Sequence, residues 1–197
     1  MTRVPTGPAN GSHAPRPSRR RGGRLRLKSE PGELQSTPIV GTLLAQINAL
    51  VGDKAMHEGH MAACDGAVRS IELLPGMIVS PVQADGEASK RTAVRFDPIP
   101  DSTWSQLVEA MACEAIWAAK LLEDDVPPGL EELFEGYGAP LVPRADGLTI
   151  DMPGAGRSDT WRVAALGWIA AERLARSPLK MLEMRGMSRE ALVERLR

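Results

Sequence analysis

The sequence predicts an α+β fold: a small antiparallel β-meander followed by a mostly helical C-terminal half. Three observations carry that expectation. Residues 67–96 fall into three short runs of alternating or β-branched residues separated by turn signals. The chain from residue 101 onward repeats apolar residues at helical spacing. Between two of its helical stretches, residues 148–163 (LTIDMPGAGRSDTWRV) read as a short extended run, a tight Gly-rich loop and a helix start. The 197 residues suffice for one good-sized domain, or a domain and a tail. A hydrophobic content of 43% and a charged content of 25% place the chain among ordinary globular proteins. No apolar run approaches the ~20 residues a membrane-spanning helix needs, and the N-terminus lacks the apolar core of a signal peptide. Cys64 and Cys113 are the only cysteines. Two lone thiols fit a reducing compartment, so the expected location is the cytoplasm.

The net charge of −1 conceals an asymmetry. Residues 1–28 hold eight bases and no acid: Arg3, Arg16, Arg19, Arg20, Arg21, Arg24, Arg26 and Lys28. The remaining 16 bases face all 25 acids. A basic arm is thus joined to an acidic body, which argues against a nucleic-acid steering field over the whole protein. Residues 1–36 are poor in apolar side chains and rich in Pro, Gly, Ser and Arg, so a disordered tail is expected there. Arg16, Arg19, Arg20, Arg21, Arg24, Arg26 and Lys28 are candidate phosphate contacts for DNA or RNA. A solubilising extension, or an arm that folds back on the acidic body, fits the same composition. Residues 37–197 form the expected folded domain, with a helix and the meander in 37–100 and the helical part in 101–197.

The elements follow in order. Pro38–Val51 places Ile39, Leu43, Leu44, Ile47, Leu50 and Val51 on one helical stripe, with Gly52 as its stop. His57, His60 and Cys64 then form H-x2-H-x3-C. His60 and Cys64 would share a helical face, but no fourth ligand is evident, and structural zinc takes four. A Cys–His nucleophile would need an orienting group and an oxyanion site, and neither is visible. These three read as polar residues near a helix end, in a stretch weakened by Gly59. The meander comprises 67–73, a Pro75-Gly76 turn, 77–82, an Asp85-Gly86 connection and 91–96. Pro81 cannot donate to a ladder and is expected at an edge or bulge. Asp101–Thr103 offer N-caps, with Gln106 completing a capping box on Thr103, for one long helix running through Trp104, Leu107, Val108, Met111, Trp117 and Leu121. Its apolar girth predicts burial on most sides, with Cys113 as a small core residue. Glu123-Asp124-Asp125 form a solvated end in which Asp124 or Asp125 could contact the basic arm. Pro127-Pro128 open a short helix over 129–135.

After the 148–163 loop, Trp161, Ala164, Ala165, Trp168 and Ile169 stand at helical spacing, with Ser158 or Asp159 as the helix cap. Met181, Met184 and Met187 read as core. Ser188 caps a last helix, and Met187 and Leu192 are placed as a hydrophobic staple.

From about His57 to the end, the chain resembles the bacterial SWIM zinc-finger proteins. The matching stretches are the strand-turn-strand around Pro75-Gly76, FDPIPDSTW, AKLLEDDVPPGLEELFEGYGAPLVPR, LTID, and AALGWIAAERLARSPLKMLEMRGMSREALVERL. The last is the most specific, and the resemblance covers about 140 residues. The family motif is Cys-x-Cys, a loop, then Cys-x-His. Its four ligand positions fall on Met152, Gly154, Trp161 and Val163, none of which binds zinc in the ordinary way; thioether sulfur favours soft Cu(I). The resemblance therefore implies a degenerate, metal-free zinc-knuckle-like loop, with no cofactor, and an indole-filled interior where a metal would have stood.

For function, the resemblance implies protein or nucleic-acid binding and association with Swi/Snf-type helicases. The acidic body shifts the expectation toward a non-catalytic, protein-binding adaptor for a nucleic-acid-processing complex. A helicase-like ATPase is the expected partner, and direct DNA or RNA binding through the arm is the alternative. Arg157, Arg162, Arg173 and Arg176 are the candidate partner contacts around the knuckle. An enzyme is not expected: the sequence offers no phosphate loop, nucleophile elbow or purposeful carboxylate pair.

Overall fold

A computed structural model describes residues 23–123 and 125–196, apart from the side chain of Arg157. Its architecture is α+β. Among the described residues, α1 (Pro31–Ser36), α2 (Pro38–Val51) and α3 (Asp53–Cys64) precede the strands β1 (Glu72–Leu74), β2 (Met77–Val82) and β3 (Lys90–Arg95). Then come α4 (Asp101–Ala112), α5 (Ala115–Leu122), α6 (Leu130–Gly136), β4 (Thr149–Asp151), α7 (Trp161–Arg176), α8 (Lys180–Met184) and α9 (Arg189–Arg195). The sheet runs β1-β2-β3-β4, antiparallel at every step.

The axis of the fold is α7. Twelve of its sixteen residues are buried, so it presents core on nearly every side rather than one stripe. It packs against α2, α3 and the sheet. Its Ala-rich sequence allows that, because short side chains let neighbouring backbones come close. At the α3 crossing the close approach falls on Gly59. A β-carbon there would lie 2.4 Å from Ala164 Cβ and 2.6 Å from the Ala165 nitrogen. The residue that weakens α3 as an isolated helix is therefore what lets α3 dock. Gly167 faces Ile47 of α2, where an added carbon would lie 2.6 Å from the Ile47 Cδ1 methyl.

Several sequence expectations match the structure. The helix over Pro38–Val51 ends at Gly52, whose φ of 85° suits glycine. Gly129, with φ of 79°, opens α6 behind Pro127-Pro128. The Ser188 side chain accepts a hydrogen bond from the Ala191 nitrogen, and Met181, Met184 and Met187 are buried. The three-stranded meander forms, with its first strand confined to Glu72–Leu74 rather than running over 67–73, and gains β4 on its β3 edge. Pro81 sits inside β2, but its carbonyl accepts from the Arg69 nitrogen. Its missing N–H therefore faces the segment flanking β1 rather than β3.

Other expectations are corrected. The chain is packed, not disordered, between residues 24 and 36. Leu25 bridges Val68, Leu27 donates its N–H to Ala63, and Leu27 and Leu34 are buried. The Glu172 carboxylate of α7 holds this strap by accepting from the nitrogens of Lys28 and Ser29, at 2.9 and 3.1 Å. The single long helix is two. Glu114, with φ −132° and ψ 117°, breaks it between α4 and α5. Cys113 is consequently exposed at the corner rather than in the core, and Ile116 and Leu122 face outward. Pro100 stands at the N-cap of α4 with no side-chain cap, so the Thr103–Gln106 box does not form. Asp125 pairs with Lys120 at 2.9 Å, and Asp124 lies outside the described residues.

The two glycine contacts make a graded prediction. Gly59→Ala meets backbone atoms that cannot retreat and should cost about 1–3 kcal/mol of stability. Gly167→Ala meets a side-chain methyl that can rotate away, and the gain in helix propensity of about 1 kcal/mol offsets much of the crowding. Urea unfolding of both variants should rank them in that order; equal stabilities would contradict the close crossing of α3 and α7.

Candidate functional site: the knuckle and its charged latch

The loop between β4 and α7 has an ordered geometry that its register explains. Asp151 stands opposite Ala93 across the β3–β4 ladder. Arg91 and Arg95 lie two residues to either side of Ala93, on the same face, within reach of a residue paired with the middle position. Both close on it: Arg91 Nη1 donates to Asp151 Oδ2 at 2.8 Å and Arg95 Nε at 2.9 Å. Hydrogen bonds from Arg91 and then Arg95 hold the Asp151 carboxyl below its ordinary pKa.

The chain then turns at Gly154, with φ of 72°, and enters a short 3-10 turn over residues 157–159. Asp159 is the organising carboxylate. Its Oδ2 accepts from the Gly156 nitrogen at 3.0 Å and from Lys90 Nζ at 3.3 Å, and its Oδ1 from Arg162 Nε at 3.2 Å. The Gly156 N–H, the Arg162 guanidinium and Lys90 together keep its pKa low. The expected cap of α7 by Ser158 or Asp159 does not form: Thr160 is the N-cap with no side-chain cap, and Asp159 instead closes the preceding turn on Gly156.

Arg162 completes the latch. It is 1% exposed. Nη1 donates to the backbone oxygen of Val82 at 2.9 Å and Nη2 to Glu87 Oε2 at 2.6 Å. The guanidinium carbon also lies 4.6 Å from the centre of the Trp161 ring, a cation–π distance. A buried guanidinium is tolerable only when its donors are matched, and here each nitrogen has an oxygen. The latch thus ties the start of α7 to both ends of the β2–β3 connection.

The four motif positions are now placed. Val163 is buried, Met152 and Trp161 are half-buried, and Gly154 is exposed in the turn. The expected pair of indoles does not gather at the knuckle. Trp168 is committed to α3, donating Nε1 to the Met56 oxygen at 3.1 Å and meeting His60 edge-on at 5.1 Å. Charge pairing, with Trp161 as one partner, occupies the place that sequence reasoning gave to two aromatic rings.

Of the partner-contact arginines, Arg162 is removed from candidacy by its burial. Arg173 is exposed, and Arg176 is exposed beside Glu172 at 3.6 Å; nothing is described of the Arg157 side chain. Arg16, Arg19, Arg20 and Arg21 lie outside the described residues. Arg24, Arg26 and Lys28 are exposed at alternate positions along the strap, between the inward-facing Leu25 and Leu27.

His60 and Cys64 do share a face of α3, with Nε2 and Sγ 3.7 Å apart, while His57 is exposed. Among the described residues, no group of three or more His, Cys, Asp and Glu is placed to hold a metal ion. Burial, then Asp65 and Glu30, raise the Cys64 pKa, which favours the thiol over the reactive thiolate. A cavity of 330 Å³ opens beside the latch, between Trp161, Arg24 on the strap, Glu58 of α3, Asp65 just after it, and Arg69 and Asp85 in the connections that flank β1 and β2. Arg69 is tied to Gln83 at 2.8 Å, so the walls offer an indole and charges of both signs. No described helix is long and apolar enough to cross a membrane.

The chain is 27% identical over 186 residues to the uncharacterized protein Rv2102 of Mycobacterium tuberculosis, a match spanning 92% of this chain and 67% of that protein. No family model matches the chain, and no solved structure matches it.

The latch makes two predictions. Arg162→Met should cost about 2–3 kcal/mol, because Asp159 and the Val82 oxygen lose a buried partner. Glu87→Gln should cost under about 1 kcal/mol, since the Glu87 side chain is 54% exposed. Chemical denaturation of the two variants checks the ratio, and equal losses would contradict the latch. Asp151 and Asp159 have lowered folded-state pKa values, so their contribution is present above the unfolded carboxylate range of about 4 and is lost as pH falls through the folded values. Thermal melts from pH 6 downward should show that loss, flattened in Asp159→Asn; an unflattened profile would count against it.

Proposed function

We propose that the protein is a non-catalytic, SWIM-like interaction module that works in the cytoplasm as a protein-binding adaptor of a nucleic-acid-processing complex. One observation carries the reading. The loop that leads into α7 is held by a charged cluster around Arg162, while the four positions that the resemblance makes ligands hold Met152, Gly154, Trp161 and Val163. A scaffold kept rigid in this way, with its motif chemistry gone, retains a surface for binding. That surface includes apolar side chains unusual for solvent: Ile116 and Leu122 on α5 are 47% and 54% exposed. The partner implied by the resemblance is a Swi/Snf-type helicase.

A second reading, direct binding of DNA or RNA, has support in the strap. Arg24, Arg26 and Lys28 line up on its exposed side at two-residue spacing, a periodicity that suits a run of phosphates. Its mark would be an affinity that drops steeply as salt rises.

Purification of the native complex from its own cells, with metal analysis of the same material, tests the first reading. A helicase-like ATPase recovered in fixed stoichiometry, without zinc bound to this chain, is the expected result. Recovery of nucleic acid with no protein partner would favour the second reading, and one tightly bound zinc per chain would contradict the metal-free knuckle.

A further inference from the structure

Among the described residues Arg185 is the second guanidinium that the fold buries, and unlike Arg162 it has no carboxylate within ion-pair distance. It follows α8 and is 7% exposed. Among the described residues its side chain makes one hydrogen bond, from Nη1 to the backbone oxygen of Asp97. Its Nε is buried without a partner. Burial pulls the Arg185 pKa down, and the nearby Asp97 only partly opposes this. A buried cation without a bonded carboxylate is costly to desolvate, and an anion arriving beside the guanidinium would offset that cost.

The turn itself does not explain the side chain. The Arg185 backbone oxygen fixes the turn by accepting from the Ile99 nitrogen at 2.9 Å and from Trp104 Nε1 at 3.3 Å. Those bonds would survive any side chain at this position.

What the side chain does face is a cavity of 360 Å³, within the size range of ligand sites, roughly 300–1,000 Å³. Phe96, Pro140 and Pro143 give it apolar walls, and the Phe96 ring lies 5.9 Å from the guanidinium carbon. Arg144 also lines the cavity but is occupied by Glu135 at 2.6 Å, so Arg185 is the cation with donors to spare. The geometry points to an acceptor site for one carboxylate, in which a Glu or Asp side chain of a partner protein seats on the Arg185 guanidinium.

The rim selects the anion. Asp97, Asp146 and the Arg144-paired Glu135 line the same cavity and are exposed. They repel a phosphate dianion more strongly than a carboxylate monoanion. The planar carboxylate also matches the guanidinium fork, and the Phe96 and proline walls suit the methylenes of an acidic side chain. This inference rests on the protein-binding reading above and names the chemistry of one contact.

The test uses the full chain, following the Arg185 Nε–H signal by NMR after assigning it through its loss in Arg185→Lys. The probes are N-acetylglutamate amide, its glutamine isostere and inorganic phosphate. The glutamate probe should shift the signal saturably, the glutamine probe should not, and phosphate should bind about tenfold more weakly. Affinity for the glutamate probe, read on neighbouring backbone signals, should fall about tenfold in Arg185→Lys. Asp146→Asn, a change at an exposed residue that leaves the fold intact, should tighten it about two- to threefold. A response that never saturates, that is equal for glutamate and glutamine, or that is indifferent to Asp146→Asn overturns the site. A chain that holds its helicase partner but binds no carboxylate removes this inference alone; a chain that binds carboxylate but captures no partner removes the adaptor reading and leaves the site.

Discussion

The buried guanidinium of Arg162 is the contact on which the knuckle depends. It sits in the first turn of α7, the most enclosed helix of the fold, and reaches three directions from there: to Asp159 behind it, to the Val82 carbonyl at the end of β2, and to Glu87 in the β2–β3 connection. A coordinated metal fixes a loop by drawing several side chains to one point. Arg162 and Asp159 do so with opposite charges: the carboxylate gathers Gly156 of the loop, Lys90 of β3 and Arg162, and the guanidinium reaches the Val82 carbonyl and Glu87. Because the guanidinium is dry and fully matched, it fixes geometry more than it adds net stability.

The latch works because α7 is held in place independently. Gly59 and Gly167 bring α3 and α2 close to it, and Glu172 ties down the strap near its far end. One helix therefore organises three regions distant in sequence: the N-terminal strap, the α2–α3 pair and the sheet. The residues that do this are two glycines, a Glu and an Arg, and the last two are types more often met on a surface than in a core.

That explains what the sequence disclosed and what it withheld. Elements marked by periodicity and by punctuation were legible: α2 between Pro38 and Gly52, the meander around Pro75-Gly76, α6 behind Pro127-Pro128, and α9 behind Ser188. Elements that depend on a distant partner were not. The strap has too few apolar residues to order itself; Leu25, Leu27 and Leu34 matter only once α3 and Glu172 are there to receive them. The break at Glu114 has no Gly or Pro to announce it. Arg162 and Arg185 look like surface cations because arginine usually is one, and only the placement of Val82, Asp159 and Asp97 reveals otherwise. In the loop before α7, the two indoles that sequence reasoning placed together are apart, since Trp168 packs on α3 and a charged cluster around Arg162 lies at the helix entry.

The account turns on whether the loop from Met152 to Thr160 is ordered by the latch or by an ion. Amide hydrogen exchange of these residues, followed in the native chain with and without a strong chelator and in Arg162→Met, separates the two directly. Chelator should leave the exchange rates unchanged, and Arg162→Met should raise them in this loop and at the start of α7. Faster exchange on chelation, or protection that survives the loss of Arg162, would contradict it.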